Sequence, residues 1–264
     1  QRQMCIRDRF KLDFENLRIA SVLGRIGLAW SIAAVLYLNF GVKTRAAIAV
    51  AVLAGYGALS ALVAAPDAAG AGPLTFEGNL AGYIDRQFLP GKLIYGSFDP
   101  EGLLSTVPAV VTAMLGMFTG EFVRRGDIRG GRKTLWMAAA AAALLAAGLA
   151  FSGVLPVNKK LWSSTFVCVV GAYSLGMFAL FYYLIDVRGW RRWTLFFRVV
   201  GLNSITIYLA QRIVGFGRIS DFFLGGIASK CPEAVAAVIS SAGYVAVCWL
   251  FLYFLYRKNV FLKV

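Results

Sequence analysis

Three polar islands interrupt an otherwise apolar chain of 264 residues, and they hold the side chains best placed to do chemistry. The first runs from Gly82 to Gly102, GYIDRQFLPGKLIYGSFDPEG, and carries Asp85, Arg86, Asp99 and Glu101. The second is LPVNKKLW, Leu155 to Trp162, with Asn158, Lys159, Lys160 and Trp162. The third is Asn203, Ser204 and Thr206 within an apolar segment. Carboxylates hold amines or orient a base, ammonium groups hold anions, and amide donors stabilise an oxyanion. Such islands point to an enzyme rather than a passive scaffold.

Each island also has a purely structural reading. Asp99, Pro100 and Glu101 form a helix start, with Asp as N-cap, Pro at the first helical position and a carboxylate at the positive dipole end. Asp85 and Arg86 pair with neighbours in a solvated loop. Lys159 and Lys160, read as the first turn of a helix after Asn158, oppose its dipole, so an anion or a nearby carboxylate must offset them. Acidic polysaccharide, lipid phosphate and acyl-CoA phosphates all qualify. Asn203 with Ser204 suits helix-to-helix hydrogen bonding, worth about 0.6 to 2 kcal/mol per contact. Arg25, a turn and a half into the first apolar run, either snorkels outward or meets a partner in the bundle. Pro108 deprives the Leu104 carbonyl of its helical donor, which predicts a kink. The Gly116 and Gly120 pair reads as a close-packing face.

The elements that position these residues follow from composition. With 59% hydrophobic residues, 15% charged and a mean hydropathy of +0.70, the chain departs from soluble domains, where charge is nearer a quarter of residues. Lipid must solvate it. A span needs about 20 apolar residues as helix, and seven runs qualify: 19–40, 44–64, 103–123, 134–152, 163–185, 195–213 and 236–256. Strand-like alternation is missing and backbone amides in lipid must be satisfied within their segment. The expected fold is all-α, a polytopic transmembrane helix bundle.

Histidine is absent, which removes the commonest general base near neutral pH and the commonest metal ligand. Cys5, Cys168, Cys231 and Cys248 lack metal-ligand spacing, and neither a metal nor a disulfide framework is expected. The basic residues concentrate in alternate connections, including Lys43, Arg45, Arg124, Arg125, Arg129, Arg132 and Lys133, and near the C-terminus at Arg257 and Lys258. By the positive-inside rule those connections and the C-terminus are cytoplasmic, and the loops 65–102 and 214–235 and the NKK island lie on the other side. Most of the basic excess behind the net charge of +14 then sits beside the inner leaflet, and no nucleic acid is needed to explain it.

Residues 1–9, QRQMCIRDR, match nothing that follows and read as non-native sequence, whereas residues 10–264 form the transmembrane domain. Across that domain run NLAGYIDRQFLPG, FDPEGLLSTVPAVVTAMLG, LPVNKKLWSSTFV, LIDVRGWRRW, GLNSITIY and YRKNVFLKV. In order and spacing they resemble the heparan-alpha-glucosaminide N-acetyltransferase family and its bacterial relatives. The resemblance implies a multi-spanning acyltransferase that moves acetyl from cytosolic acetyl-CoA to the amine of a glucosamine or similar sugar across the membrane. It implies a bacterial cytoplasmic membrane as the location. It also implies that Arg25, Asp85, Arg86, Asp99 and Glu101, with Asn158, Lys159, Lys160, Trp162 and Asn203, bind the acceptor or the acyl-CoA.

The chain departs from that family in one respect. The family's catalytic histidine lies near its N-terminus, no residue here inherits the role, and the sequence reads as the C-terminal two-thirds of such an enzyme, inactive by itself. Membrane lipid and an amino-sugar or glycan are the expected partners, with association into a homo-oligomer left open. The competing classes are a transporter or flippase for a polar or acidic solute, to which intramembrane polar residues and a kinked helix are equally natural, and a structural membrane subunit.

Overall fold

The computed structural model describes residues 18–262. Cys5 and the boundary expected at Phe10 lie outside them. The described residues are helical apart from turns and two isolated bridges, and they divide into two compact units, Gln1–Val187 and Arg188–Val264.

The first unit holds α1 (Val22–Asn39), α2 (Val42–Leu62), the short α3 (Leu80–Phe88), α4 (Leu103–Arg124), α5 (Gly130–Ala150) and α6 (Ser164–Tyr182). A π-helical turn, Tyr183–Val187, extends α6. Local chemistry sets several starts. The Ser21 hydroxyl accepts from the Gly24 amide, the Asn79 side chain from Gly82, and the Ser163 hydroxyl from Phe166, each satisfying a first-turn amide that has no partner of its own.

Helix α4 is the centre of this unit, with 39% of its apolar window buried against 11–22% for the other spans. Ala29 and Ala33 of α1, Ala49 of α2 and Val167 of α6 close around its Ala109, Val110, Val111 and Met114. Small residues let the backbones approach where lipid supplies no hydrophobic drive between helices. Large side chains point away instead: Leu38 and Leu62 are 80% and 81% exposed, as a surface solvated by lipid allows. The helix runs through Pro108 without ending.

The second unit holds α7 (Leu195–Leu202), α8 (Ser204–Ile213), α9 (Phe216–Ala228) and α10 (Glu233–Arg257). Six described helices are long and apolar enough to cross a membrane, or seven if the bent pair Arg192–Leu202 and Ser204–Ile213 is one span. That pair corrects the straight span expected over 195–213, because the helices meet at 61°. Asn203 leaves helical geometry at the break (φ −126°, ψ 28°), and its side-chain oxygen accepts from the Thr206 hydroxyl at 3.2 Å, a local bond that competes with the helix ladder. The 214–235 segment, read as a loop, contains α9, and the 65–102 loop contains α3.

Candidate functional site

Helix α4 begins three residues later than the DPEG motif suggests. Its N-cap is Gly102, which has no side chain to offer, and Asp99 instead closes the preceding turn by accepting from the Glu101 amide at 3.0 Å. The capping carboxylate comes from another helix. Asp85 of α3 accepts from the Leu103 amide at 3.0 Å and from the Asp99 amide at 3.2 Å, and it is fully buried. Burial raises the Asp85 carboxyl to about 6. The two amide bonds and Arg86 oppose that rise, and the Asp99 charge adds to it. A Cβ on Gly102 would overlap the Asp85 carboxylate, so glycine is required where α3 and α4 meet.

Two arginines lock the same helix end. Arg18, which precedes α1, forms a bidentate pair with Asp99 at 2.8 and 2.7 Å and also reaches Glu101. Burial pushes the Asp99 carboxyl up, but Arg18 and the amides of Glu101 and Ile94 outweigh it and hold the group below its ordinary value. Arg25, inside α1 and 7% exposed, donates to the carbonyls of Pro100, at 2.8 Å, and Ser105. It neither snorkels nor meets a carboxylate in a described ion pair. Its guanidinium lies 4.1 Å over the ring of Trp162, and its Nε is buried without a partner.

Trp162 is the most unusual backbone position in this cluster. Its φ of 52° is left-handed, a conformation that costs a bulky L-residue roughly 1–3 kcal/mol and recurs at functional sites. Fixed this way, the ring packs edge-on to Phe166 and its Nε1 donates to Thr112 of α4 at 3.3 Å. Tyr56 of α2 ties down the same turn through the Leu161 carbonyl.

The remaining expectations fare differently. Arg86 does not pair with Asp85's surroundings alone: it makes a bidentate bond to Asp67 at 2.8 and 2.7 Å and donates to the Ser97 carbonyl. Asp85, Arg86, Lys92 and Ile94 border an open hollow of about 370 Å³. Lys159 and Lys160 are not in a helical turn, because α6 starts only after the Ser163 cap. They occupy a turn held by the Asn158 side chain, which accepts from the Lys160 amide at 2.8 Å. Both lysines are exposed and in no described ion pair, so Asp85, Asp99 and Glu101 do not neutralise them. Lys160 sits 4.5 Å over Tyr95. Asn203 lies in the second unit, 1% exposed, with its Nδ2 buried and unpartnered.

Thus α1, α3, α4 and the turn before α6 bring together Arg25, Asp85, Asp99, Glu101 and Trp162. Arg18 and Tyr56 were not foreseen from sequence. Arg18 stands outside every island, and Tyr56 sits in a featureless apolar run. Among the described residues no group of three or more His, Cys, Asp or Glu side chains could hold a metal ion.

The sequence is 29% identical over 208 residues to heparan-alpha-glucosaminide N-acetyltransferase of Homo sapiens, covering 71% of this chain and 30% of the human protein. It is 27% identical over 205 residues to the protein of that name from Mus musculus, again covering 71% of this chain and 30% of the relative. No family model matches. Over this stretch the chain is similar to that N-acetyltransferase, in line with the resemblance carried by its six ordered motifs, and it spans about a third of the length of the curated relatives it matches.

Proposed function

We propose that this chain is part of a membrane acetyltransferase that moves acetyl from acetyl-CoA to the amine of a glucosamine or similar sugar. The likeness to the two N-acetyltransferases over most of the chain is the observation that carries this reading. In the transfer, the amine nitrogen attacks the thioester carbonyl, the C–S bond breaks, and the amine proton leaves as the CoA thiol departs. That proton needs a base. The chain contains no histidine, and its buried carboxylates are committed to amides and arginines, so the chain alone is inactive in this proposal.

What the chain contributes is the acceptor side. The hollow beside Asp85 and Arg86 takes the sugar, with the exposed Lys159 and Lys160 attracting an acidic glycan, and Arg18 and Arg25 hold the α4 start rigid beneath it. This end of the bundle faces away from the cytoplasm, the basic connections and the C-terminus face it, and a bacterial cytoplasmic membrane is the setting. The test is release of CoA thiol from acetyl-CoA with glucosamine as acceptor. Background rates are expected for this chain, and turnover for a version that also carries the family's histidine-bearing segment. A histidine-bearing version without turnover would overturn the acceptor assignment.

One observation favours a second reading, a transporter: the span broken at Asn203, with a buried amide at the break, is a form that transporters use for substrate sites. A matching break elsewhere in the described residues is absent. Uptake of a polar solute into vesicles without acetyl-CoA would favour it.

A further inference from the structure

A second feature of the first unit lies away from the capped end. Helix α5 packs closely along α6, whereas α4 and α5 barely touch, and the gap between them is an apolar cleft of about 860 Å³. Three rows of residues at four-residue spacing line it: Thr112, Gly116 and Gly120 on α4; Trp136, Ala140 and Leu144 on α5; Val170, Ser174 and Phe178 on α6. Residues four apart share a helix face. The next member of each row, beyond the cleft at the same end of the bundle, is Arg124, Arg132 and Tyr182 respectively.

Arg124 and Arg132 are exposed and belong to no described ion pair or hydrogen bond, while neighbouring Arg125 is spent on Asp127. Tyr182 stacks on Phe178. Behind Phe118, another lining residue, Arg45 bonds Glu121 through Nη2 and keeps Nε and Nη1 buried and unpartnered. The cleft has no helix seated in it at the glycines: a Cβ on Gly116 or Gly120 would meet nothing within 4 Å. This corrects the expectation that the pair is a packing face. An apolar slot in the span region with a cationic mouth and a tyrosine at one end matches one amphiphile, an acyl chain under an anionic head group.

We infer that this cleft is a binding site for an anionic phospholipid, with one acyl chain lying along Gly116 and Gly120 and the phosphate between Arg124 and Arg132. The proposal does not depend on the transferase reading. Zwitterionic lipid fits the slot equally well but gains little from the arginines, so the site discriminates by head group. Each arginine near a membrane surface favours an anionic lipid by about fivefold.

The experiment uses the chain reconstituted in phosphatidylcholine bilayers, with brominated-tail lipid quenching the fluorescence of Trp136, isolated by difference from Trp136→Phe. Brominated phosphatidylglycerol should occupy the site about twenty-five-fold more favourably than brominated phosphatidylcholine. In the Arg124→Gln, Arg132→Gln variant the two lipids should quench alike. Gly120→Leu, which projects into open cleft, should reduce quenching by both lipids to the equal background set by bilayer lipid around the exposed Trp136 ring, while Gly120→Ala keeps the preference and shows that the fold survives substitution there. Equal quenching of the unaltered chain by both lipids, or an unchanged preference after loss of both arginines, would overturn the proposal. Reversal of the quenching by soluble acyl-CoA would overturn it too, making the cleft a thioester channel.

Discussion

The Asp85 carboxylate lies against Gly102 with no room for a Cβ between them, and it accepts the first backbone amide of the α4 helix at 3.0 Å. An acid eighteen residues upstream of that amide therefore does the work that the sequence assigns to the adjacent Asp99. Gly102→Ala should force the two apart and lower stability by about 1–3 kcal/mol, the usual effect of overpacking. Thermal unfolding in detergent measures this, and an unchanged midpoint would mean that the carboxylate has room to retreat.

The same residue gives stability a pH dependence. Folding raises the Asp85 carboxyl from 3.8 to about 6, so between those values the folded state binds more protons than the unfolded one. Stability from this group therefore falls as pH rises from about 4 to about 6. No histidine titrates in that window. Asp99 is shifted the other way, and its contribution is lost only as pH falls below the ordinary aspartate value. Asp85→Asn should flatten the slope between pH 4 and 6 and leave the acid limb in place. A slope that survives the substitution would assign it to another group.

Arg25 and Trp162 should be energetically coupled. The guanidinium lies 4.1 Å over the indole in a buried site, where a cation–π contact is worth about 2 kcal/mol. Arg25→Met, Trp162→Leu and the double variant form a thermodynamic cycle. We expect a coupling of about 1–2 kcal/mol, and additive effects would reduce the contact to simple proximity.

Much of this architecture is legible from sequence because lipid imposes a single rule, long apolar runs, and the six intact spans follow it closely. Single residues with long-range partners are not legible. Arg18 reaches Asp99 across 81 positions, and no local pattern announces it. The lysine pair has the local pattern of a helical first turn, but Asn158 and Ser163 hold the intervening residues in a non-helical turn. Asn203 was recognised as a polar residue in a span, but propensity alone does not say whether such a residue bonds a neighbouring helix or breaks its own. The helix α9 is not legible because Gly215, Gly217, Gly225 and Gly226 give its segment the composition of a loop.

The exposed lysines offer a separation of binding from stability. Lys159 and Lys160 are in no described ion pair, and Lys160 gains only an exposed contact with Tyr95, worth about 0.5–1 kcal/mol. Changing both to Gln should therefore shift the unfolding midpoint little, while weakening binding of a sulfated or carboxylated amino-sugar in the histidine-bearing version. A marked loss of stability with unchanged affinity would make the lysines structural.

Topology decides whether these two ends can serve the two substrates. Lys92 is exposed at the capped end and Gly126 in the turn at the opposite end of the first unit, so cysteines placed at these positions, with the native ones replaced, report the two faces separately. In intact cells an impermeant thiol reagent should label Lys92→Cys and spare Gly126→Cys, with labelling of the latter only after permeabilisation. The basic residues Arg124, Arg125, Arg129 and Arg132 around Gly126 set this expectation. The reverse pattern would put the hollow beside Asp85 in the cytoplasm, where the amino-sugar acceptor is not presented, and the proposed direction of acetyl transfer would fall with it.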